Sequence, residues 1–412
     1  MWRISESGRL DELVVFRWDA ARYVPVGSLR FEGGDRRIGR FVYAKSVLRS
    51  GTPRPIDPIG LPISGRSRSA HPDEVHLAFH DAGPDGWGKG ILDRAFPHRR
   101  LGMAEYLALG GTTRTGDLAF GPTPDGPRTW VPDEAPLLHL PAAEDDVAAL
   151  LAAAEAIEDG RSASHHLQVL LRNSADVGGA RPKARLRHRG RQWIAKFPAW
   201  GDRFDDPRAE AVCLDVAEAA GLSVPARELL DIGGRSVLLV ERFDRTSEGE
   251  PIAYLSAATL LKEPSFGYGT RKTYVDIAAV AESIGVANAF PEMFRRLLVN
   301  ACLHNTDDHL RNHAFLGAGD GWRLSPVFDI APHPGVMRHV CAPAPGLGPE
   351  WDAERAFASH PRFKLSRIAA DSIREAVQAA MRRVPEFMAA RGMPAGDRTM
   401  LAASFAPAAR AS

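Results

Sequence analysis

The most constraining feature of this chain is a strand–strand–helix–strand–strand run placed ahead of a mostly helical half. The strand ARLRH, the turn RGRQ and the strand WIAKF lie within 174–197. A helical pattern over about 207–220 then ends at Gly221, and ELLDIGGRSVLLVERF reads as two strands around a Gly-Gly turn. From residue 255 the pattern turns helical (255–262, 273–285, 290–304, 366–383 and near the end), broken by a loop-rich stretch at 305–350. Upstream, residues 12–46 alternate apolar and polar with glycine breaks, as a small antiparallel sheet does, and 47–72 read as a long loop. Helical patterns near 85–95 and 103–109 precede a strand at 118–122. Pro122, Pro124, Pro127, Pro132, Pro136 and Pro141 mark a linker or surface excursion, and an alanine-rich helix follows over 143–158. The pattern predicts an α/β (α+β) protein of two lobes with a cleft, organised as 1–145, 146–246 and 247–412.

Composition narrows the class. At 412 residues the chain is too long for one ordinary core. Its 44% apolar and 25% charged content is that of a soluble globular protein. A net charge of +1 argues against a protein that coats nucleic acid. Cys213, Cys302 and Cys341 form no metal pattern and no disulfide framework, which suits a reducing cytoplasm. The first residues lack the basic and apolar regions of a secretory signal. No apolar run approaches the roughly 18 residues of a membrane span. A cytoplasmic location away from membranes is expected.

The chemistry gathers in His304-Asn305-Thr306-Asp307-Asp308-His309-Leu310-Arg311-Asn312, followed by a predicted β-hairpin and then Val327-Phe328-Asp329-Ile330. A helix delivers a loop with an acid, an amide-bearing Asn follows five residues later, and the hairpin presents a second Asp. Phosphoryl transfer to a hydroxyl needs these parts: a carboxylate (Asp307) to accept the proton, and oxygen ligands (Asn312, Asp329) to hold Mg²⁺ on the phosphates. The D-x-x-x-x-N spacing is that of a kinase catalytic loop. Alone it is common, and it gains specificity from the hairpin and Phe-Asp-Ile. A transition-metal centre built on His304, His309 and His313 is the competing reading, but their spacing does not share one helical face.

About 130 residues upstream, Val177-Gly178-Gly179-Ala180 precedes a strand and could set backbone N–H groups against phosphates. A tight turn explains the same glycines. Lys196 sits in the apolar strand Trp193–Phe197, where a charge is costly unless paired, and Glu210 in the next helix is a natural partner. The chain has only seven lysines, so a lysine at this place hints that a compact ammonium is needed. The strand VLLVERF, running into Asp244, could supply hinge backbone groups for an adenine ring.

Together these pieces resemble the HipA family of bacterial toxin kinases. The matching stretches are Val177–Ala184, Ile194–Pro198, Leu239–Arg245, Asn305–His313 and Leu324–Ile330. Phe79-His80-Asp81 and Pro84–Gly88 also look like the family's extra β-rich N-terminal subdomain. The resemblance implies a two-lobed protein-kinase-like fold with a mostly helical C-terminal lobe. It implies transfer of the ATP γ-phosphate to a protein serine or threonine, with Asp307 as catalytic base, Asn312 and Asp329 on Mg²⁺, and Lys196 and His309 on phosphates. Glu241 and Phe243 would meet adenine through backbone, and Asp244 the ribose. Such toxins typically phosphorylate an aminoacyl-tRNA synthetase and are restrained by a separate DNA-binding antitoxin of the helix-turn-helix, HipB-like kind, so that DNA is met only indirectly. Two departures stand out. Asp176 occupies the place of a serine whose autophosphorylation silences studied members, with Ser174 two residues earlier: either Ser174 is the regulatory site or the switch is absent. Ser256-Ala257-Ala258 replaces a Gln-Glu-Asp found in some members. The rival functions are a small-molecule or lipid kinase, and a non-enzymatic ATP-binding module that acts by binding an antitoxin.

Overall fold

The computed structural model describes residues 1–5, 8–33, 37–50, 54–132, 145–161, 164–263, 271–402 and 404–405. It divides into two compact units, residues 1–200 with 244–255, and residues 201–243 with 256–412. Pro136 and Pro141 of the expected linker lie outside the described residues.

The first unit is founded on an antiparallel sheet of β1 (Glu12–Asp19), β2 (Arg22–Glu32), β3 (Ile38–Tyr43), β4 (Arg68–Ser69) and β5 (Leu118–Gly121), in the order β4-β3-β2-β1-β5. The alternation read from the sequence is real but broken once. A bulge between Val15 and Phe16 shifts the β1–β2 register, so both residues point into the core. Phe79, from the short helix Leu77–Asp81, stacks edge-on against Phe41 and Phe120 at 5.3 and 6.0 Å and seals the inner face. After the helix Val147–Glu158 comes a second, Ser164–Asn173, which the sequence pattern did not announce. Its apolar residues Leu167, Val169, Leu170 and Leu171 fall within five positions, too short a run to stand out beside two histidines, and only Leu170 and Leu171 among them are fully buried. The hairpin of β6 (Lys183–His188) and β7 (Arg191–Lys196) follows, in register Lys183 to Lys196.

In the second unit the helix Asp206–Ala219 starts on Asp205, whose carboxylate accepts from Arg208 N at 3.1 Å, with Pro207 in the first turn. It stops where expected. Gly221 takes φ +85° and the amides of Gly221 and Leu222 close onto Glu218 and Ala217. The helix packs on the hairpin β8 (Arg227–Ile232)/β9 (Arg235–Glu241) through Ala211, Leu214, Leu238 and Val240. Asp215 accepts from Arg227 at 2.6 Å and Arg391 at 2.7 Å, tying this hairpin to the end of the helix Val384–Ala390. The chain recrosses at β10 (Tyr254–Ser256). The helix expected over 255–262 is shorter, Ala257–Leu260, and Lys262 ends it at φ +55°. The helices Tyr274–Ser283 and Ala289–Cys302 and the hairpin β11 (Ala314–Ala318)/β12 (Gly321–Leu324) follow, and then the helices Ala353–Ala358, Arg367–Arg382 and Ala395–Ala402. All three cysteines are free and buried, and burial pushes the Cys302 thiol up to about 12. Among the described residues no helix is long and apolar enough to cross a membrane.

Candidate active site

In the second unit, the helix Ala289–Cys302 ends in a tight closure, with His304 at φ +53° and Asn305 N bonding back to Asn300 O at 2.9 Å. This turn releases the segment carrying Asp307. A single 3₁₀ turn, Leu310–Asn312, folds the loop back, with Asn312 N on His309 O at 2.9 Å and Asn312 Nδ2 facing Asp307 O at 3.4 Å. Asn312 therefore sits against the backbone of the proposed base, and its amide oxygen is turned the other way.

The two adjacent carboxylates have unlike surroundings. Asp307 is half-buried, whereas Asp308 is 5 % exposed and enclosed. Three donors converge on Asp308 Oδ2: the Tyr274 hydroxyl, Asn300 Nδ2 at 2.8 Å and His313 Nε2 at 2.8 Å. Burial alone would raise the Asp308 pKa. The His313 charge and hydrogen bond, with Tyr274 and His309, outweigh it and hold the carboxyl below its usual range. Asn300 Oδ1 in turn accepts from Asn305 Nδ2 at 3.0 Å. Asp308 is thus the hub that fastens the loop to two helices, and its neighbour Asp307 is left on the accessible side.

The segment bearing Asp329 leaves β12 and is fixed at Val327, whose N–H donates to Ser223 O at 2.8 Å. Asp329 itself adopts φ +59°, a conformation that costs a non-glycine residue about 1–3 kcal/mol and tends to be kept where function needs it. The Phe328 ring lies 5.2 Å from that of Phe243, so the expected adenine-side residue and the Phe-Asp-Ile segment are neighbours. Glu241 N is used by Ala226 O at 2.8 Å, and Glu210 is buried within its helix. Val340 N bonds to Thr306 O at 2.9 Å and His333 N to His304 O at 3.0 Å, which pins the chain beyond Asp329 to the loop of Asp307. His339 stacks on Trp351 at 3.7 Å, and burial lowers its pKa to about 4. Among the described residues no group of three or more His, Cys, Asp or Glu side chains is placed to hold a metal ion. Asn312 and Asp329 are oxygen donors of the kind Mg²⁺ takes, and a Mg²⁺ ion bound to nucleotide keeps most of its ligands from water and phosphate.

The first unit holds the glycine-rich segment. Gly179 takes φ +85°, and its carbonyl accepts from Trp87 N at 2.8 Å, at the start of the helix Gly86–Ala95. A Cβ on Gly86 would lie 2.4 Å from Gly179 O, and one on Gly88 2.5 Å from Val177 O. Glycine in Pro84–Gly88 is therefore what lets that helix seat against the segment Val177–Ala180. A Cβ on Gly178, by contrast, would make only an ordinary contact, with Asp85 Cβ at 3.9 Å. Asp176 is buried, paired with Arg185 at 2.6 Å and accepting from Thr113 at 3.0 Å. Ser174 is buried too, its hydroxyl donating to Lys183 O at 2.8 Å. Lys196 closes β7, and Asp244 is buried, with Gly116 N at 2.9 Å and Arg245 at 2.8 Å on its Oδ2.

The family model of the HipA-like C-terminal domain matches residues 175–386, just over half of the chain. The chain belongs to the HipA-like family. Among solved structures it is similar to HipA of Shewanella oneidensis MR-1, determined in a complex of that toxin–antitoxin system with HipB and its operator DNA. The match has a TM-score of 0.66 and 16% identity, over 95% of each chain. A Helicobacter pylori proinflammatory kinase, CtkA, aligns at a TM-score of 0.43 and 13% identity, over 56% of this chain and 88% of its own, a likeness too slight to argue from. The fold is that of HipA, and the mixed α/β class expected from the sequence is the class found. Tyr274, Arg296 and Asn300 were not foreseen from the sequence of this HipA-like chain, and His313, weighed there as a metal ligand, instead bonds Asp308. The available signal was Arg296 and Asn300 interrupting the apolar face of FRRLLVNACL.

Proposed function

We propose that this HipA-like protein is a kinase that transfers the γ-phosphate of Mg·ATP to a serine or threonine hydroxyl of a protein. What carries this reading is the contrast between Asp307 and Asp308: one carboxylate is locked by three donors and the next is left accessible beside Asn312. Asp307 is the group to accept the acceptor proton. Asn312 and Asp329 hold Mg²⁺, which neutralises charge on the phosphates. Val177, Gly178, Gly179 and Ala180 offer backbone N–H groups, Lys196 and His309 cationic or polar contacts to phosphates, and Glu241, Phe243 and Asp244 the nucleoside side. Residues 1–145 form the family's N-terminal subdomain, 146–246 the segment of the glycine-rich loop and lysine, and 247–412 the catalytic segment. The partners are a protein substrate in translation, such as an aminoacyl-tRNA synthetase, and a HipB-like antitoxin, all in the cytoplasm. The antitoxin is inferred from the Shewanella HipA complex, which includes one.

ATP should bind more tightly in Mg²⁺ than in EDTA, and Asn312→Ala or Asp329→Ala should abolish that difference. Titration calorimetry reads both affinities; Mg²⁺ dependence left intact in both variants overturns the assignment.

Any autophosphorylation is expected on Ser174, because Asp176 stands where the usual serine would be. Because Ser174 is buried and bonded to Lys183 O, the segment must first open. A phosphate there adds nearly two charges beside the glycine-rich loop and should weaken nucleotide binding. Mass spectrometry after incubation with Mg·ATP locates it, and phosphate confined to other residues rules the site out.

A further inference from the structure

The helix Ala289–Cys302 reaches both loops of the site from its buried side. Arg296 and Asn300 stand four residues apart and so share one face. Arg296 is 1 % exposed; its Nη2 donates to Ser325 O at 2.6 Å, and its Nε meets Glu292 at 3.2 Å. Ser325 begins the four residues that lead into Asp329. One turn on, Asn300 bonds Asp308 at 2.8 Å and Asn305 at 3.0 Å, gripping the loop of Asp307 on both sides of that residue.

Packing alone does not account for Arg296. A buried guanidinium is costly to desolvate, and burial pulls its pKa below the ordinary value despite Glu292. Its Nη1 is buried with no hydrogen-bond partner. An apolar side chain of similar volume fills such a place without that cost. What the guanidinium adds is a fixed, directional hold on the carbonyl of Ser325.

We propose that Arg296 and Asn300 are positioning residues: from successive turns of one helix they set the spacing between the segment bearing Asp329 and the loop bearing Asp307. The proposal deepens the phosphotransfer reading and rests on it. The helix acts as a ruler on which the metal-side carboxylate and the base are both registered.

The two residues act through different arms, so their defects should differ in kind. Arg296→Met should raise the Mg²⁺ concentration for half-maximal transfer. Asn300→Ala should lower kcat at saturating Mg·ATP with little change in KM. Hydrogen exchange, measured without nucleotide, tests the ties themselves. Arg296→Met should speed exchange at Ser325 and Val327 by about 10- to 100-fold, the range for loss of a charged hydrogen bond, and leave Asn305 and Asn312 unchanged. Asn300→Ala should do the reverse. Should Arg296→Met fail to fold, Arg296→Lys removes the same directional hold and is read in the same way. Exchange that rises equally in both segments, or in neither, overturns the proposal. So do a wild-type kcat and Mg²⁺ half-saturation per folded molecule in both variants. A wild-type protein that transfers no phosphate overturns the kinase reading instead, while the exchange pattern still decides the ruler.

Discussion

Asp307→Asn is expected to lower phosphoryl transfer by about 10²- to 10⁴-fold, the usual contribution of a general base. Asparagine keeps the size of the side chain and its hydrogen-bonding capacity but not the basic carboxylate. Mg·ATP affinity should change little, because the proposed nucleotide and metal contacts come from other residues. Growth arrest on expression, where the wild type causes it, should vanish with the activity. The measurement is phosphate transfer per folded molecule, beside nucleotide affinity. Arrest retained by a variant that transfers no phosphate would favour a binding module over an enzyme. Transfer at the wild-type rate would mean that another group is the base. Asp308 is a poor substitute, because its Oδ2 already accepts from Tyr274, Asn300 and His313.

The second large effect is on stability. Asp308→Ala strands three buried donors at once, and breaking a buried charged pair in this way typically costs about 3–5 kcal/mol. For a unit of this size that corresponds to a fall in Tm on the order of 10 °C. The same carboxylate gives the pH dependence its sign. Its pKa in the folded protein is lowered from 3.8, so the unfolded chain binds the proton first as the medium is acidified. Its stabilisation is complete above pH 3.8 and is lost below it, as pH falls through the depressed folded value. Asp308→Ala should therefore lower Tm at neutral pH and flatten its acid dependence. A melting curve that matches wild type at both pH values would show that the network contributes nothing to folding.

Much of this protein was legible in its residues. Period-two alternation over 12–46, the RGRQ turn, the Gly233-Gly234 turn and the helix stop at Gly221 are local matters of steric and apolar pattern, and each strand or helix they imply is present. The family was legible too, because Val177–Ala184, Asn305–His313 and Leu324–Ile330 are short runs in which backbone conformation and chemistry are specified together. The D-x-x-x-x-N spacing singled out Asp307, but the sequence could not show how differently Asp307 and Asp308 are surrounded. They are the same residue type in adjacent positions, and only tertiary structure brings Tyr274, 34 residues before Asp308, and Asn300, eight before it, to one oxygen. The same holds for the glycines of Pro84–Gly88. They read as a helix start, and their small size acquires meaning only when the fold sets Gly179 O and Val177 O against them. Arg296 and Asn300 were visible as polar breaks in an apolar helix face, but their partners were not. A hydrogen bond needs direction as well as proximity, and direction is set by packing between elements far apart in the chain.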